Sequence, residues 1–104
     1  MKASQPDALT PEETAAVLRA AGEGRHGVRD YAMLLMLYHH GLRVSELCRL
    51  TLADLDLESR RLWVERLNRG RSGLHPVPES EAQALAAYLA QRAEQGTLHL
   101  PPLF

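Results

Sequence analysis

The hydrophobic pattern of the N-terminal part of the chain predicts two helices. The segment LTPEETAAVLRAA opens with Thr10 and Glu13 at capping-box spacing and with Pro11 at the first helical position. A helix should therefore run to about Ala21. A second helix should start at about Val28 and carry the run YAMLLMLYHH, which is apolar on every side. Such a helix is expected to form the buried centre of a fold.

The second helix should end at Gly41, because glycine commonly follows the last turn of a helix. His39 and His40 then fall in that last turn, where a partial positive charge suits the helix dipole, and we expect both to act as capping residues at the surface. The following VSELCRL predicts another short helix, in which Cys48 should be a small buried residue. The segment TLADLDLESR predicts a turn of helix or a loop.

From Arg61 onward the pattern changes to that of strands. RLWVERL has strand composition, LHPVPE is its expected hairpin partner, and NRGRSG between them predicts a tip rich in arginine. Pro76 and Pro78 indicate that the second strand is an edge strand or is leaving the sheet. The last residues, TLHLPPLF, have the pattern of a chain approaching another strand.

Between these segments, SEAQALAAYLAQRAEQ predicts an amphipathic helix that Gly96 closes. Its expected apolar face consists of Ala82, Leu85, Ala86, Leu89 and Ala90. The elements together predict an α+β fold that is mostly helical, with a small antiparallel β-hairpin or sheet.

Length and composition restrict the class of protein. The 104 residues should form a single domain with residues 1–8 disordered, and 45% hydrophobic with 24% charged residues is typical of a soluble globular protein. One cysteine excludes an internal disulfide framework and gives no metal-ligand spacing. The N-terminus lacks the apolar core of a signal peptide, and the longest apolar run is too short to cross a bilayer. We therefore expect a cytoplasmic protein without a membrane segment.

The charge of the chain is unevenly distributed. Its net charge is −1, but residues 60–71 hold five arginines against Glu65, so this segment carries +4 and the rest of the chain −5. A concentrated basic element on an acidic body is typical of a phosphate-binding surface. The alternative is a solvated strand face whose arginine stems cover apolar neighbours, and composition leaves both interpretations open. The five arginines are Arg60, Arg61, Arg66, Arg69 and Arg71.

Arg43 is the first candidate for chemistry. If a helix begins at about Val44, Arg43 is its N-cap residue, and its guanidinium could bind an oxyanion beside unpaired backbone N–H groups. Glu46 would lie one turn along on the same face and could hold the guanidinium side-on. The alternative is an exposed intrahelical ion pair worth about 0.2–0.5 kcal/mol, and spacing alone favours that interpretation.

The segment DYAMLLMLYHHGLRVSELCRLTLADLDL, followed by RGRSGLHPVP and a helix, resembles the first half of the catalytic domain of the tyrosine recombinases, the phage-integrase family. The shared pattern is a buried apolar helix, a core motif and a short acidic segment before a three-stranded sheet. The core motif here is Gly41, Arg43, Ser45, Glu46 and Leu47. The resemblance covers about residues 9–104, most closely to the small recombinases that invert the fimbrial phase switch. It implies that residues 1–104 are a partial integrase-type catalytic domain.

The resemblance implies a role in site-specific DNA recombination. Arg43 matches the first of two arginines that bind the scissile phosphate while a tyrosine attacks and forms a 3′-phosphotyrosyl link, and Glu46 matches the acidic residue that supports it. No metal or other cofactor is implied. The implied partners are double-stranded DNA and further recombinase subunits. The residues expected to contact DNA are Arg66, Asn68, Arg69, Arg71 and His75.

The chain departs from the family pattern in two respects. Counting back from Pro76, the position of the family's catalytic hairpin lysine falls on Asn68, and Lys2 is the only lysine. Arg69 or Arg71 could stand in electrostatically, but arginine is a poor acid because it almost never releases its proton. The family's second arginine and nucleophilic tyrosine also have no match, and the three tyrosines are expected to be packing residues. This chain alone should not complete strand cleavage. The tyrosines are Tyr31, Tyr38 and Tyr88.

Three interpretations therefore stay open. The chain is a fragment of a site-specific recombinase, a non-catalytic DNA-binding or regulatory module, or a degenerate domain kept for protein association. In the second case LYHHGLRVSELCRLT would be the turn and second helix of a helix-turn-helix. The all-round apolar helix before it and the arginine-rich hairpin after it argue against that case.

Overall fold

The computed structural model describes residues 10–66 and 70–104, and the prediction of disorder for residues 1–8 lies outside the described residues. The described chain forms four helices, one 3₁₀ turn and one antiparallel sheet, so the prediction of a mostly helical α+β fold is confirmed. The elements are α1 (Pro11–Gly22), α2 (Gly27–His40), α3 (Val44–Cys48), the 3₁₀ turn (Leu52–Asp54), β1 (Leu55–Asp56), β2 (Arg61–Val64), β3 (Gly73–Pro76) and α4 (Glu79–Gln95).

Helix α2 is the centre of the fold, as its all-round apolar character predicts. It contacts α1, α3 and α4, and its Ala32, Leu35 and Met36 are buried. Gly41 follows it with φ of 61°, a left-handed conformation that favours glycine. The buried core comprises Ala32, Met36, Leu42, Leu47, Leu50, Leu62, Val64, Val77, Leu85, Tyr88 and Leu103.

Helix α1 begins as predicted but packs only at the edge of the core. Thr10 accepts the backbone N–H of Glu13 at 3.0 Å, and the Glu13 carboxylate accepts the backbone N–H of Thr10 at 2.9 Å, which completes the capping box. None of the residues of α1 is buried. The capping box therefore fixes the helix locally, while its packing against α2 fixes its place.

The sheet has the order β1-β2-β3, with both pairs antiparallel. The predicted hairpin is present as β2 and β3, and Pro76 is the last residue of the edge strand β3, as the prolines indicate. The segment predicted as a turn of helix or a loop does contain the 3₁₀ turn. However, Leu55 pairs with Leu62 to add the short strand β1, which the local pattern does not predict because two residues show no alternation.

Helix α4 is present and Gly96 follows it in the left-handed conformation, but the predicted apolar face is partly wrong. Its buried residues are Glu81, Leu85, Tyr88 and Arg92. Glu81 and Arg92 lie on the inward face because each has hydrogen-bond partners there, so the buried face is rotated relative to the predicted one. Of the residues predicted to be on the apolar face, Ala86 and Ala90 are exposed.

The C-terminal segment is held mainly by Arg92. Its guanidinium donates to the backbone carbonyls of Pro102 at 2.6 Å, Leu103 at 2.8 Å and Leu100 at 3.1 Å, and to that of Thr97. The predicted additional strand is reduced to one antiparallel bridge between Thr51 and Pro102, flanked by hydrogen bonds to Leu50 and Leu52. The described segment thus closes back onto the residues that follow α3.

The prediction that Cys48 is buried is wrong. Cys48 is the last residue of α3 and is exposed. Helix α3 has five residues, and its two buried positions are Glu46 and Leu47, so Cys48 lies on the outer side of a single turn.

Gly27 allows α2 to begin directly against the end of α1. A Cβ atom at Gly27 would lie 2.1 Å from the carbonyl oxygen of Gly22, so a larger residue would require the backbone to move. We expect Gly27→Ala to lower the free energy of unfolding in urea by about 1–3 kcal/mol. Gly73→Ala is the matched control, because nothing lies within 4 Å of a Cβ there and its φ is not positive. Equal stability of Gly27→Ala and the wild type would contradict the close contact.

Candidate functional site

Arg43 is the N-cap residue of α3, as the sequence predicts. Its backbone is extended, with φ of −80° and ψ of 156°, and its carbonyl accepts the first helical hydrogen bond from Leu47 at 2.9 Å. The residue is exposed. Because α3 has only five residues, its macrodipole is small, and attraction of an anion would come mainly from the guanidinium itself.

Glu46 supports Arg43 through the backbone. Its Oε1 accepts the Arg43 backbone N–H at 2.9 Å and the Arg66 Nη1–H at 3.1 Å. The residue is 4% exposed, so its carboxylate needs these donors to offset the cost of burial. Glu46 therefore supports Arg43 at its backbone and is itself joined to Arg66, while the side-on contact with the Arg43 guanidinium stays a prediction.

Arg66 joins the hairpin to the end of α2. Its Nη2–H donates to the carbonyl of His40 at 2.8 Å, and its Nη1–H donates to the carbonyl of Gly41 at 3.2 Å as well as to Glu46. Helix C-termini leave such carbonyls without intrahelical partners, so the guanidinium caps α2 from outside. Arg66, Gly41, Arg43 and Glu46 therefore form one connected unit, which we call the arginine corner.

The remaining hairpin residues expected to contact DNA are distributed along the tip and β3. Asn68 and Arg69 lie outside the described residues. Arg71 is exposed beside the tip, whereas His75 is half-buried on the inner face of β3, opposite Leu62. The site thus combines an exposed arginine at the corner with at least one exposed arginine on the neighbouring hairpin.

A cluster of histidines lies next to the arginine corner, and local sequence patterns did not predict it. His40 Nε2 and His39 Nδ1 lie 2.8 Å from the two carboxylate oxygens of Glu81, and His40 Nδ1 lies 3.0 Å from His75 Nδ1. His40 is 7% exposed, so the prediction that it is a surface capping residue is wrong. Only the packing of α4 and β3 against α2 brings these four residues together, which explains why the sequence carries no local signal for it.

Burial lowers the pKa of His75 below its ordinary value of 6.5, and electrostatic interactions with His40 and Arg66 lower it further. Glu81 acts in the opposite direction. The neutral imidazole is therefore favoured at this position over the cation.

The three tyrosines lie on helices. Tyr88 is buried and stacks on Phe104 with ring centroids 4.8 Å apart, which confirms its predicted packing role. Tyr31 is half-buried, and Tyr38, at the end of α2, is 61% exposed with its ring 5.8 Å from that of His39.

The structure of residues 10–66 and 70–104 also bears on metal binding and on membrane insertion. Within these ranges no group of three or more histidine, cysteine, aspartate or glutamate side chains is arranged to hold a metal ion. In the same part of the chain, no helix has the length and apolar character needed to cross a bilayer.

Comparison with known proteins identifies the family. The model of the phage integrase family matches residues 7–100. The type 1 fimbriae regulatory protein FimB of Escherichia coli K12 is 40% identical over 84 residues, which is 81% of this chain and 42% of FimB. Tyrosine recombinase XerA of Thermococcus kodakarensis is 41% identical over 93 residues, which is 88% of this chain and 32% of that protein.

The fold agrees with these relationships. A crystal structure of XerA recombinase matches 100% of this chain and 36% of that chain, with a TM-score of 0.79 and 28% sequence identity. The chain spans less than half the length of the curated relatives it matches. Since the family model covers nearly all of the described residues and the fold is that of a family member, the chain belongs to the phage integrase family, as its GLRVSEL motif suggested.

Proposed function

We propose that this chain supplies the first half of the catalytic domain of a tyrosine recombinase and acts on double-stranded DNA. The observation that carries the proposal is the arginine corner, which presents the exposed Arg43 beside an arginine-rich hairpin. Arg43 binds the scissile phosphate, and its fixed positive charge stabilises the additional negative charge of the transition state. Glu46 keeps Arg43 in place through the backbone N–H.

Different residues of the hairpin hold it in place and contact DNA. The Arg66 side chain is 20% exposed and its guanidinium donates to two carbonyls and Glu46, so its main task is to hold the hairpin against the end of α2 and the start of α3. Arg69 and Arg71 contact the DNA backbone, and Asn68 precedes them in the sequence between β2 and β3. Since Asn68 has no acidic proton to offer, protonation of the leaving 5′ oxygen falls to another group.

The reaction needs residues that this sequence does not contain. The attacking tyrosine and the second phosphate-binding arginine come from the remainder of the catalytic domain. Further recombinase subunits assemble with it on the DNA. The helix-turn-helix alternative gains no support, because α3 has five residues and is only about 7 Å long, too short to follow a major groove.

The first test is binding of the chain to duplex DNA. We expect weak binding whose equilibrium constant falls steeply with salt, because the contacts are to phosphates. Changing Arg69 and Arg71 together to alanine should weaken binding and reduce the slope of log K against log salt by about two, one for each lost phosphate contact. Fluorescence anisotropy of a labelled duplex measures both quantities.

Arg25→Ala is the matched control for this experiment. Arg25 is also an exposed arginine, but it lies just before α2, a helix about 20 Å long whose other end meets the arginine corner. Its replacement should leave the salt slope unchanged. Unaltered affinity and slope in the Arg69 and Arg71 variant would contradict DNA contact by the hairpin.

A further inference from the structure

Glu81 is a fully buried carboxylate that joins two histidines of the central helix. It is 0% exposed, and its two oxygens lie 2.8 Å from His39 Nδ1 and His40 Nε2. A carboxylate only accepts hydrogen bonds, so each histidine must direct an N–H group at it. In His40 this places a hydrogen on Nε2 and leaves Nδ1 to interact with His75.

The contact between His40 and His75 depends on protonation. Their Nδ1 atoms are 3.0 Å apart, so a single hydrogen lies between them. Either His75 donates to neutral His40, or protonated His40 donates to neutral His75. If both rings were protonated, two N–H groups would point at each other and the contact would break.

Titratable or charged groups lie near this pair on each neighbouring element. Helix α2 contributes His39, helix α4 contributes Glu81, the hairpin contributes Arg66, and α3 contributes Glu46, which pairs with Arg66. The lowered pKa of His75 means that the folded state binds this proton more weakly than the unfolded chain does. The contribution of neutral His75 to the free energy of unfolding is therefore complete above pH 6.5. It is lost as the pH falls from 6.5 through the lowered pKa of His75.

The two arms of the hairpin are held by different contacts. On the β2 side, Arg66 donates to the carbonyl of His40 at the end of α2. On the β3 side, His75 contacts the ring of His40. The residues between these two points include the arginines of the tip. Loss of the His40 contact would remove the direct tie between β3 and α2 and leave β3 held by its pairing with β2 and by the buried Val77 that follows it.

We propose that Glu81 is a positioning residue that acts through His40 and His75 to fix strand β3, and with it the adjacent Arg71, relative to Arg43. Loss of the contact between the two Nδ1 atoms loosens the attachment of this arm to α2. The proposal rests on the proposed function only where it concerns DNA, because the position of the hairpin can be measured without DNA. An ion pair that merely stabilised the packing of α2 on α4 would not link the hairpin to pH.

The decisive experiment follows backbone amide signals of Gly70, Ser72 and Gly73 by NMR while the pH is lowered from about 8 to about 5, the range in which histidines titrate. In the wild type these signals should shift together with the imidazole signals of His75, with one midpoint below 6.5. In His75→Gln the shift of the amides should disappear, since glutamine can still donate to His40 but does not titrate.

Two further variants complete the test. Glu81→Gln should place the hairpin signals at neutral pH close to the positions that the wild type reaches in acid, with unchanged helical content by circular dichroism. His99→Gln, which alters an exposed histidine in the C-terminal segment, should keep the wild-type pH response. If Glu81→Gln does not fold, the comparison of His75→Gln with His99→Gln decides the matter. A pH response that persists in His75→Gln, or wild-type hairpin signals in folded Glu81→Gln, would overturn the proposal.

DNA binding provides an independent readout. With the hairpin released, the affinity for duplex DNA at neutral pH should fall about threefold to tenfold in Glu81→Gln, a size typical of residues that act through a network. If the wild type binds no DNA while its hairpin signals still follow His75, the proposed function fails and the positioning role stands. If DNA binds and the hairpin signals ignore His75, the positioning role fails alone.

Discussion

Arg43→Ala, made in a full-length recombinase that contains this segment, is expected to lower the formation of the covalent DNA adduct by about 10²–10³-fold or more, the loss seen when one preorganised charge-stabilising group is removed. Binding to the DNA site should be nearly intact, because one phosphate contact among many is lost. Trapping the phosphotyrosyl adduct on a nicked duplex measures the first quantity, and anisotropy measures the second.

Two other variants make the result specific. Arg43→Lys should give an intermediate rate, because lysine keeps the charge but cannot grip two phosphate oxygens with a planar fork. Arg49→Ala alters another exposed arginine, at the opposite end of α3, and should leave adduct formation unchanged. An undiminished yield of adduct in Arg43→Ala would show that the arginine corner does not bind the scissile phosphate.

Arg92→Ala is expected to lower the free energy of unfolding by about 2–4 kcal/mol, because several carbonyls lose a donor and the buried Leu103 loses its anchor. Residues 97–104 should become susceptible to proteolysis before the rest of the chain. Urea unfolding followed by circular dichroism, together with limited proteolysis, measures the two effects.

Lysine at position 92 should rescue little of this loss. The Arg92 guanidinium reaches separate carbonyls with two nitrogens, and an ammonium group places all its donors on one. Arg19, which is exposed on α1, provides the control, and its replacement by alanine should change stability by less than about 0.5 kcal/mol. A stable Arg92→Ala variant with a protected C-terminal segment would contradict the anchoring role.

The parts of the fold that local chemistry determines were predictable. The capping box at Thr10, the glycines after α2 and α4, and the prolines at the edge strand each act within a few residues, so the sequence displays them directly. The place of Arg43 at the start of α3 was predictable for the same reason. Its interpretation as a phosphate-binding residue needed the family resemblance as well.

The parts that depend on contacts between distant segments were not predictable. Glu81 and Arg92 are charged, so the periodic pattern assigned them to the outside of α4, yet each is buried because a histidine pair or a set of carbonyls satisfies it. His40 looked like a surface cap because its partners lie 35 and 41 residues away. Strand β1 was missed because pairing with β2, and not its own composition, makes it a strand.

The contacts of Arg66 within the arginine corner limit which segments of this protein can be exchanged for those of its relatives. Arg66 serves the carbonyls of His40 and Gly41 as well as Glu46, so exchanging the charges of Arg66 and Glu46 would leave those carbonyls without a donor. We therefore expect chimeras with relatives to fold best when the hairpin and the GLRVSEL segment are exchanged together. Any engineered change at the hairpin tip should keep residue 66 an arginine.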